Sequence, residues 1–142
     1  MIQDSEPLKI TPLGAGSEVG RSCIILAYKG KNIMLDCGIH PAFSGISALP
    51  FFDEIDPASI DIVLITHFHL DHAASLPFFT ERTSFRGQVY MTHPTKSIFK
   101  WLLADYVRVS ASTSKADPGE IANDRLFSEA HLTSCYEKIN AM

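Results

Sequence analysis

The chain has 142 residues, of which 46% are hydrophobic and 20% are charged; these proportions favour one folded domain and exclude a disordered chain. Its formal net charge of -4 argues against a protein that binds nucleic acid through a generally basic surface. No apolar run approaches the ~18 residues that cross a bilayer, and three cysteines without CxxC spacing argue against a disulfide framework. We therefore expect no membrane partner.

The first half of the chain is predicted to consist mainly of strands. Apolar, β-branched runs occupy residues 8–13, 22–28, 32–38 and 60–65, each bounded by glycine, proline or polar residues. The KGK sequence between the second and third runs indicates a hairpin. The proline- and glycine-containing stretch before the fourth run is predicted to be mostly loop.

Helices and strands alternate in the second half. A helix is predicted over 73–82, a strand over 88–92 and a helix from Pro94 to about Val109, because proline favours the first helical turn. The stripe expected to be buried on that second helix contains Ile98, Trp101, Leu102, Tyr106 and Val109. Residues 111–125 are polar and are predicted to be a linker or loop, and 126–142 an amphipathic helix. The alternation indicates an α/β fold.

The sequence HFHLDH follows directly on the fourth predicted strand. Within six positions it places three histidines and one aspartate: His67, His69, Asp71 and His72. Imidazole nitrogen and carboxylate oxygen are ligands of zinc and related metals. His67 and His69 point the same way if the backbone is extended, whereas a helix would place them on opposite sides. We interpret the four residues as metal ligands, since a set of surface histidines on a polar loop explains this spacing poorly.

Several longer segments carry a family resemblance. HFHLDH together with the upstream LDCG at 35–38 resembles two motifs of the metallo-β-lactamase fold superfamily. GAGSEVGRSC at 14–23 and KWLLADYV at 100–107 narrow the resemblance to the β-CASP nucleases that cleave pre-mRNA 3′ ends. The resemblance covers residues 8 to 110 and continues more weakly over 126–142. It implies the N-terminal half of an αββα sandwich, with residues 1–110 as the first part of the domain.

The same resemblance implies a site and a cellular role. His67 and His69 would hold one zinc ion, and Asp71 and His72 a second, while Asp36 would orient a ligand histidine. The substrate would be pre-mRNA, the partners other subunits of the cleavage and polyadenylation complex, and the location the nucleus. The remaining metal ligands and the catalytic histidine of the family have no match in this chain. We therefore expect the chain alone to bind zinc weakly and to be inactive, with no certain catalytic residue.

Two other interpretations stay open at this point. One is a different hydrolase of the same fold, such as a DNA-repair nuclease or a thioesterase. The other is a truncated, non-catalytic product that binds partners. Among further single residues, we expect Cys37 to be an inert core thiol, Trp101 to be core and His131 to face solvent. Arg21 could contact a phosphate, but a surface role is an equal alternative.

Overall fold

The computed structural model describes residues 6–113 and 125–142. The strands are β1 (Lys9–Gly14), β2 (Cys23–Tyr28), β3 (Lys31–Leu35), β4 (Ile62–Leu64), β5 (Gln88–Met91) and β6 (Ile139–Ala141). The α-helices are α1 (Leu70–Ala73), α2 (Leu76–Arg82), α3 (His93–Thr113) and α4 (Glu129–Lys138). Three short 3₁₀ turns lie between β3 and β4. Most of the predicted linker, residues 114–124, lies outside the described residues, and 111–113 belong to α3.

All six strands form one sheet in the order β1-β2-β3-β4-β5-β6. The first three are antiparallel neighbours, whereas β3, β4, β5 and β6 run parallel. The predicted hairpin is confirmed: Tyr28 pairs with Lys31 across a two-residue turn in which Lys29 and Gly30 both have positive φ, as a type I′ turn requires. Because the parallel strands all end at one edge, the segments that follow them meet there.

One face of the sheet is covered by helices. Side chains that alternate along the strands, including Ile25, Met34, Val63 and Val89, are buried there in one core with Phe79 and Phe99. The other face is also apolar but only half-buried in the described residues, with Ile24, Leu26, Ile33, Leu35, Ile62 and Leu64 along it. An apolar second face is expected of a sheet layer in a sandwich. None of the described helices is long and apolar enough to cross a membrane.

The buried stripe of α3 differs from the predicted one. Phe99, Leu103 and Val107 are buried, whereas Trp101 is 75% exposed. The expected stripe through Trp101 was therefore wrong, because the helix is rotated so that the residues two positions away from it face the sheet. Both choices have helical spacing, so periodicity alone does not separate them.

The last predicted helix is shorter than expected. Residues 126–142 contain α4 over Glu129–Lys138, and Ile139–Ala141 form β6 instead of continuing the helix. Ile139 pairs with Val89 of β5, so hydrogen bonding to the existing sheet ends the helix at this point. At the other end, Ser128 and His131 form a reciprocal capping box, with His131 in the position that Glu or Gln usually fills.

Candidate metal centre

The four predicted ligands lie together where β4 leaves the sheet. β4 ends at Leu64, and α1 begins at Leu70, so His67 and His69 occupy the connection while Asp71 and His72 lie on the first helical turn. The ring centroid of His67 is 4.6 Å from that of His69 and 4.2 Å from that of His72. Asp71 Oδ2 lies 3.5 Å from His72 Nε2. The structure thus places all four side chains next to one another.

Backbone hydrogen bonds hold this connection against two neighbouring segments. The Ser22 amide donates to the Asp71 carbonyl over 2.9 Å, and the Cys37 amide donates to the His72 carbonyl over 2.8 Å. Gly38 passes so close that a Cβ there would overlap the Asp71 carbonyl. Glycine is therefore required at this position for the backbones to approach. The LDCG segment and the histidine cluster therefore contact each other through their backbones.

Asp36 is in contact with the cluster through His72. It follows β3, its φ is 61° and its side chain is almost fully buried. Its carboxylate accepts three hydrogen bonds: from the Thr66 amide at 2.8 Å, from Thr66 Oγ1 at 3.0 Å and from His72 Nδ1 at 2.8 Å. A buried carboxylate needs such partners to offset its lost hydration. The structure thus brings Asp36 into contact with one of the predicted ligands.

Thr66 is a site residue that the sequence interpretation missed. Its Oγ1 lies 3.0 Å from both carboxylate oxygens of Asp36 and 2.9 Å from His67 Nδ1. Strand alternation would turn its side chain away from that of His67, so the pattern gave no reason to select it. The signal that could have found it is the parallel pairing of β3 with β4, which sets Leu35 opposite Leu64 and hence Asp36 beside the residues that follow β4.

The donor chemistry of the cluster fits a divalent metal of the zinc type. In His67 and His72 the Nδ1 atom is engaged by protein hydrogen bonds, which leaves Nε2, on the far side of each ring, as the nitrogen for a metal. A histidine ligand typically donates its other ring N–H to a carboxylate or similar acceptor. Within the described residues, no three His, Cys, Asp or Glu side chains are already arranged around one point. The described residues therefore offer a partial donor set.

Cys37, beside Asp36, is not a suitable ligand. Its side chain is fully buried, and its Sγ lies 3.3 Å from the Ser75 hydroxyl. Burial is the main reason that the pKa of this thiol is raised well above its ordinary value. Metals bind the thiolate, so burial of this kind supports the interpretation of an inert core thiol.

The three remaining histidines, His40, His93 and His131, lie outside the cluster. His40 packs against Phe43, with tilted rings whose centroids are 4.4 Å apart, and its Nε2 lies 3.6 Å from a Glu18 carboxylate oxygen. His93 is the exposed first residue of α3. His131 is partly buried and its Nδ1 accepts from the Ser128 amide, so it is a helix cap and not fully solvent-facing as predicted.

The Arg21 side chain connects the 14–22 segment with the segment that contains Ser47 and Leu49. Its guanidinium pairs with Glu18 and donates to the carbonyl oxygens of Ser47 and Leu49 at 3.2 and 3.4 Å. The hydrogen bond from Arg21 is the largest contribution to a lowered pKa of the Glu18 carboxyl. The guanidinium also lies over the Phe51 ring, 4.7 Å from its centroid. These contacts give Arg21 a structural role.

Sequence comparison identifies one matching family model. The model of the metallo-beta-lactamase superfamily matches residues 16–131, which include the histidine cluster, Asp36 and α1 to α3. Members of this superfamily bind metal, as the name states. The match therefore agrees with the donor chemistry of the cluster.

Several curated proteins are much more similar. The chain is 56% identical over 140 residues to "Cleavage and polyadenylation specificity factor subunit 3-I" of Arabidopsis thaliana, covering 99% of the chain and 19% of that protein. It is 53% identical over 134 residues to "Endoribonuclease YSH1" of Saccharomyces cerevisiae, covering 94% of the chain and 17% of that protein. The chain thus spans about a fifth of the length of these relatives.

Solved structures agree on the fold. A putative metallo-beta-lactamase from Thermotoga maritima matches with a TM-score of 0.51 at 18% identity, covering 96% of this chain and 59% of that one. A protein of unknown function from Enterococcus faecalis V583 matches with the same TM-score at 20% identity, covering 74% of this chain and 29% of that one. At such identities the likeness concerns the fold alone, and it confirms the predicted fold class.

Proposed function

The chain belongs to the metallo-beta-lactamase superfamily, and we propose that it is the N-terminal part of the nuclease domain of an endoribonuclease that cleaves pre-mRNA 3′ ends. The observation that carries the proposal is the identity of 53–56% to relatives named as an endoribonuclease and as a cleavage and polyadenylation factor. The matched region covers 94–99% of the chain, so the histidine cluster and its supporting segments lie within it. The alternative of a DNA-repair nuclease or a thioesterase has no comparable support.

The proposed metal ligands are those of the cluster. His67 and His69 would hold one zinc ion, and Asp71 with His72 would contribute to a second. Bound zinc would stabilise negative charge on a phosphodiester and lower the pKa of an attacking water. Further donors would complete the site, since the four residues of the cluster form a partial donor set. The chain's own task is to present the imidazole nitrogens in fixed orientations at the sheet edge.

Asp36 is proposed to orient one of these ligands. Its carboxylate accepts the Nδ1–H of His72 at 2.8 Å, which leaves Nε2 of that ring free to bind metal. Such a carboxylate partner raises the basicity of the ligand and fixes its tautomer. The buried position of Asp36 and its two hydrogen bonds from Thr66 hold the carboxylate in place independently of metal.

The proposed partners and location follow from the relatives. We propose that the substrate is pre-mRNA and that the protein works with other subunits of a cleavage and polyadenylation complex in the nucleus. With a net charge of -4, the chain does not attract RNA through its overall charge, so substrate binding would depend on the metals and on other parts of the assembly.

A chimera tests the proposed function directly. The segment of the yeast relative that matches this chain is replaced by the chain, and the chimera is added to a yeast extract depleted of the native relative. Cleavage of a synthetic pre-mRNA is expected to be restored. His67→Ala and His69→Ala are expected to reduce cleavage below detection, because each removes a proposed metal ligand. His131→Gln is the matched control, since Gln preserves the capping box, and it is expected to cleave normally.

Two results of this experiment would contradict the proposal. The first is a folded chimera that does not restore cleavage. The second is equal cleavage by the His67→Ala chimera and the unmodified one, which would remove the cluster from the reaction.

A further inference from the structure

The hydroxyl of Thr66 lies between the buried carboxylate of Asp36 and a predicted metal ligand. Its Oγ1 is 3.0 Å from each oxygen of Asp36 and 2.9 Å from Nδ1 of His67. From this arrangement we propose that Thr66 is a positioning residue that fixes the tautomer and orientation of His67 for metal binding. The inference rests on the proposed metal site and extends it to a residue outside the set of ligands.

The direction of the two hydrogen bonds follows from counting protons. A threonine hydroxyl has one proton to donate and lone pairs with which to accept, whereas a carboxylate only accepts. The Thr66 hydroxyl must therefore donate to Asp36, and its oxygen must accept from His67. This acceptance requires a proton on His67 Nδ1. In the neutral imidazole the other nitrogen, Nε2, then carries the lone pair that a metal needs.

The same carboxylate sets the tautomer of a second ligand. His72 donates its Nδ1–H directly to Asp36 Oδ2 over 2.8 Å, so its Nε2 also carries a lone pair. Asp36 thus acts on His72 directly and on His67 through Thr66. The two rings lie 4.2 Å apart between centroids, so one buried carboxylate orients two neighbouring ligands.

The opposite tautomer of His67 would permit fewer hydrogen bonds. The Thr66 amide also donates to Asp36 Oδ1, at 2.8 Å, which holds the threonine backbone beside the carboxylate. The opposite tautomer of His67 would present a bare Nδ1 to the Thr66 oxygen. The single hydroxyl proton would then have to leave Asp36, and a buried carboxylate would lose one of its donors, which is costly.

Two substitutions separate this role from a general structural one. Thr66→Val replaces the hydroxyl by a methyl group of similar shape, and Asp36 keeps the hydrogen bonds from the residue-66 amide and from His72. Thr66→Ser keeps the hydroxyl and is the conservative rescue. We expect His67 to lose its fixed tautomer and ring orientation in Thr66→Val and to keep both in Thr66→Ser.

The test is ¹⁵N NMR of the histidine rings in the 142-residue chain, first without metal and then during a zinc titration. In the unmodified chain and in Thr66→Ser, His67 is expected to carry its proton on Nδ1. In Thr66→Val, His67 is expected to populate both tautomers, while His72 keeps its proton on Nδ1. Zinc affinity is expected to fall about 10- to 100-fold in Thr66→Val and to stay within about threefold in Thr66→Ser.

Two outcomes would overturn the inference. One is a proton on Nε2 of His67 in the unmodified, metal-free chain, which decides the matter even if Thr66→Val does not fold. The other is a folded Thr66→Val chain with the same His67 tautomer and the same zinc affinity as the unmodified chain. Neither measurement uses RNA cleavage, so failure of this inference is distinguishable from failure of the proposed function.

Discussion

His72 Nδ1 and Asp36 Oδ2 lie 2.8 Å apart, which joins the first turn of α1 to the end of β3. The two residues are 36 positions apart in sequence, and parallel pairing of β3 with β4 brings them together. The same contact region contains the backbone hydrogen bonds from Ser22 and Cys37 to the metal-cluster loop. Several segments that are distant in sequence therefore hold the predicted ligands in place at the carboxyl end of β4.

The charge of Asp36 is expected to matter more than its shape. Asp36→Asn retains a residue that tolerates the positive φ of this position, but an NH₂ group replaces one of the two accepting oxygens and faces either Thr66 or His72, both of which donate to Asp36. We expect the fold to be retained and zinc affinity in the chimera to fall about 10- to 100-fold, measured by competition with a chelator.

Asp61→Asn is the matched control for that substitution. The Asp61 carboxylate also accepts a backbone hydrogen bond, from the Asn32 amide at 2.9 Å, but it lies before β4, at the opposite end of that strand from the cluster. The zinc affinity of the Asp61→Asn chimera is expected to be unchanged. Equal zinc affinities in the two variants would show that the Asp36 carboxylate has no particular role.

Gly38 is predicted to be intolerant of any side chain. In Gly38→Ala the new methyl group would overlap the carbonyl of Asp71, so either helix α1 or the 37–39 segment must move. We expect a loss of about 3 kcal/mol in the free energy of unfolding, measured by urea denaturation. Gly16→Ala is the control, because its Cβ would be 3.4 Å from Pro12, and it is expected to change stability little. A Gly38→Ala chain as stable as Gly16→Ala would show that this close approach is absent in solution.

The rotation of α3 predicts that two aromatic substitutions on this helix affect stability unequally. Phe99 is fully buried and Trp101 is 75% exposed. Phe99→Ala is expected to cost about 3–5 kcal/mol through the cavity it leaves, whereas Trp101→Ala is expected to change stability by no more than about 0.5 kcal/mol. Chemical denaturation of both variants measures the difference. The reverse order would restore the stripe that helical periodicity first indicated.

Glu81 is expected to make stability depend on pH in acid. Burial by itself raises the pKa of this carboxyl, but hydrogen bonds from Lys138 and Ser134 outweigh burial, and the pKa is lowered from its ordinary 4.5. A lowered folded-state pKa stabilises the fold above the unfolded-state value, and this stabilisation is lost as the pH falls through 4.5 and below. Glu81 links α2 to α4 through these two bonds, at 2.7 Å to Lys138 Nζ and 2.9 Å to Ser134 Oγ.

Glu81→Gln is expected to reveal this contribution. It should lower stability by about 1 kcal/mol at pH 7 and show a smaller further loss between pH 5 and 3 than the unmodified chain. Urea midpoints measured across that range provide the comparison. A steeper acid loss in Glu81→Gln than in the unmodified chain would mean that the sign assigned to this group is wrong.

The parts of the site that the sequence predicted are those encoded locally. His67, His69, Asp71 and His72 fall within six positions, so strand and helix geometry alone bring them together. Asp36 was found through the resemblance of LDCG to a family motif. Thr66 was missed because its role depends on the register between β3 and β4, which no local pattern specifies.

Two structural predictions failed for a related reason. Trp101 and Phe99 both fit an amphipathic helix, and only packing against the sheet selects Phe99 for the core. Ile139 continues the apolar spacing of Leu132 and Tyr136, but its pairing with Val89 makes it a strand residue. In each case a contact distant in sequence overrides a local pattern that permits two outcomes.

We propose that the HFHLDH cluster binds metal through Nε2 of His67 and His72, whose Nδ1 atoms are hydrogen-bonded to Thr66 and Asp36. The most direct measurement is anomalous X-ray scattering from crystals of the zinc-loaded chimera with the yeast relative. We predict zinc density bonded to Nε2 of His67 and Nε2 of His72, with both Nδ1 atoms still hydrogen-bonded to protein. Zinc located away from these residues, or bonded through Nδ1 of either ring, would contradict it.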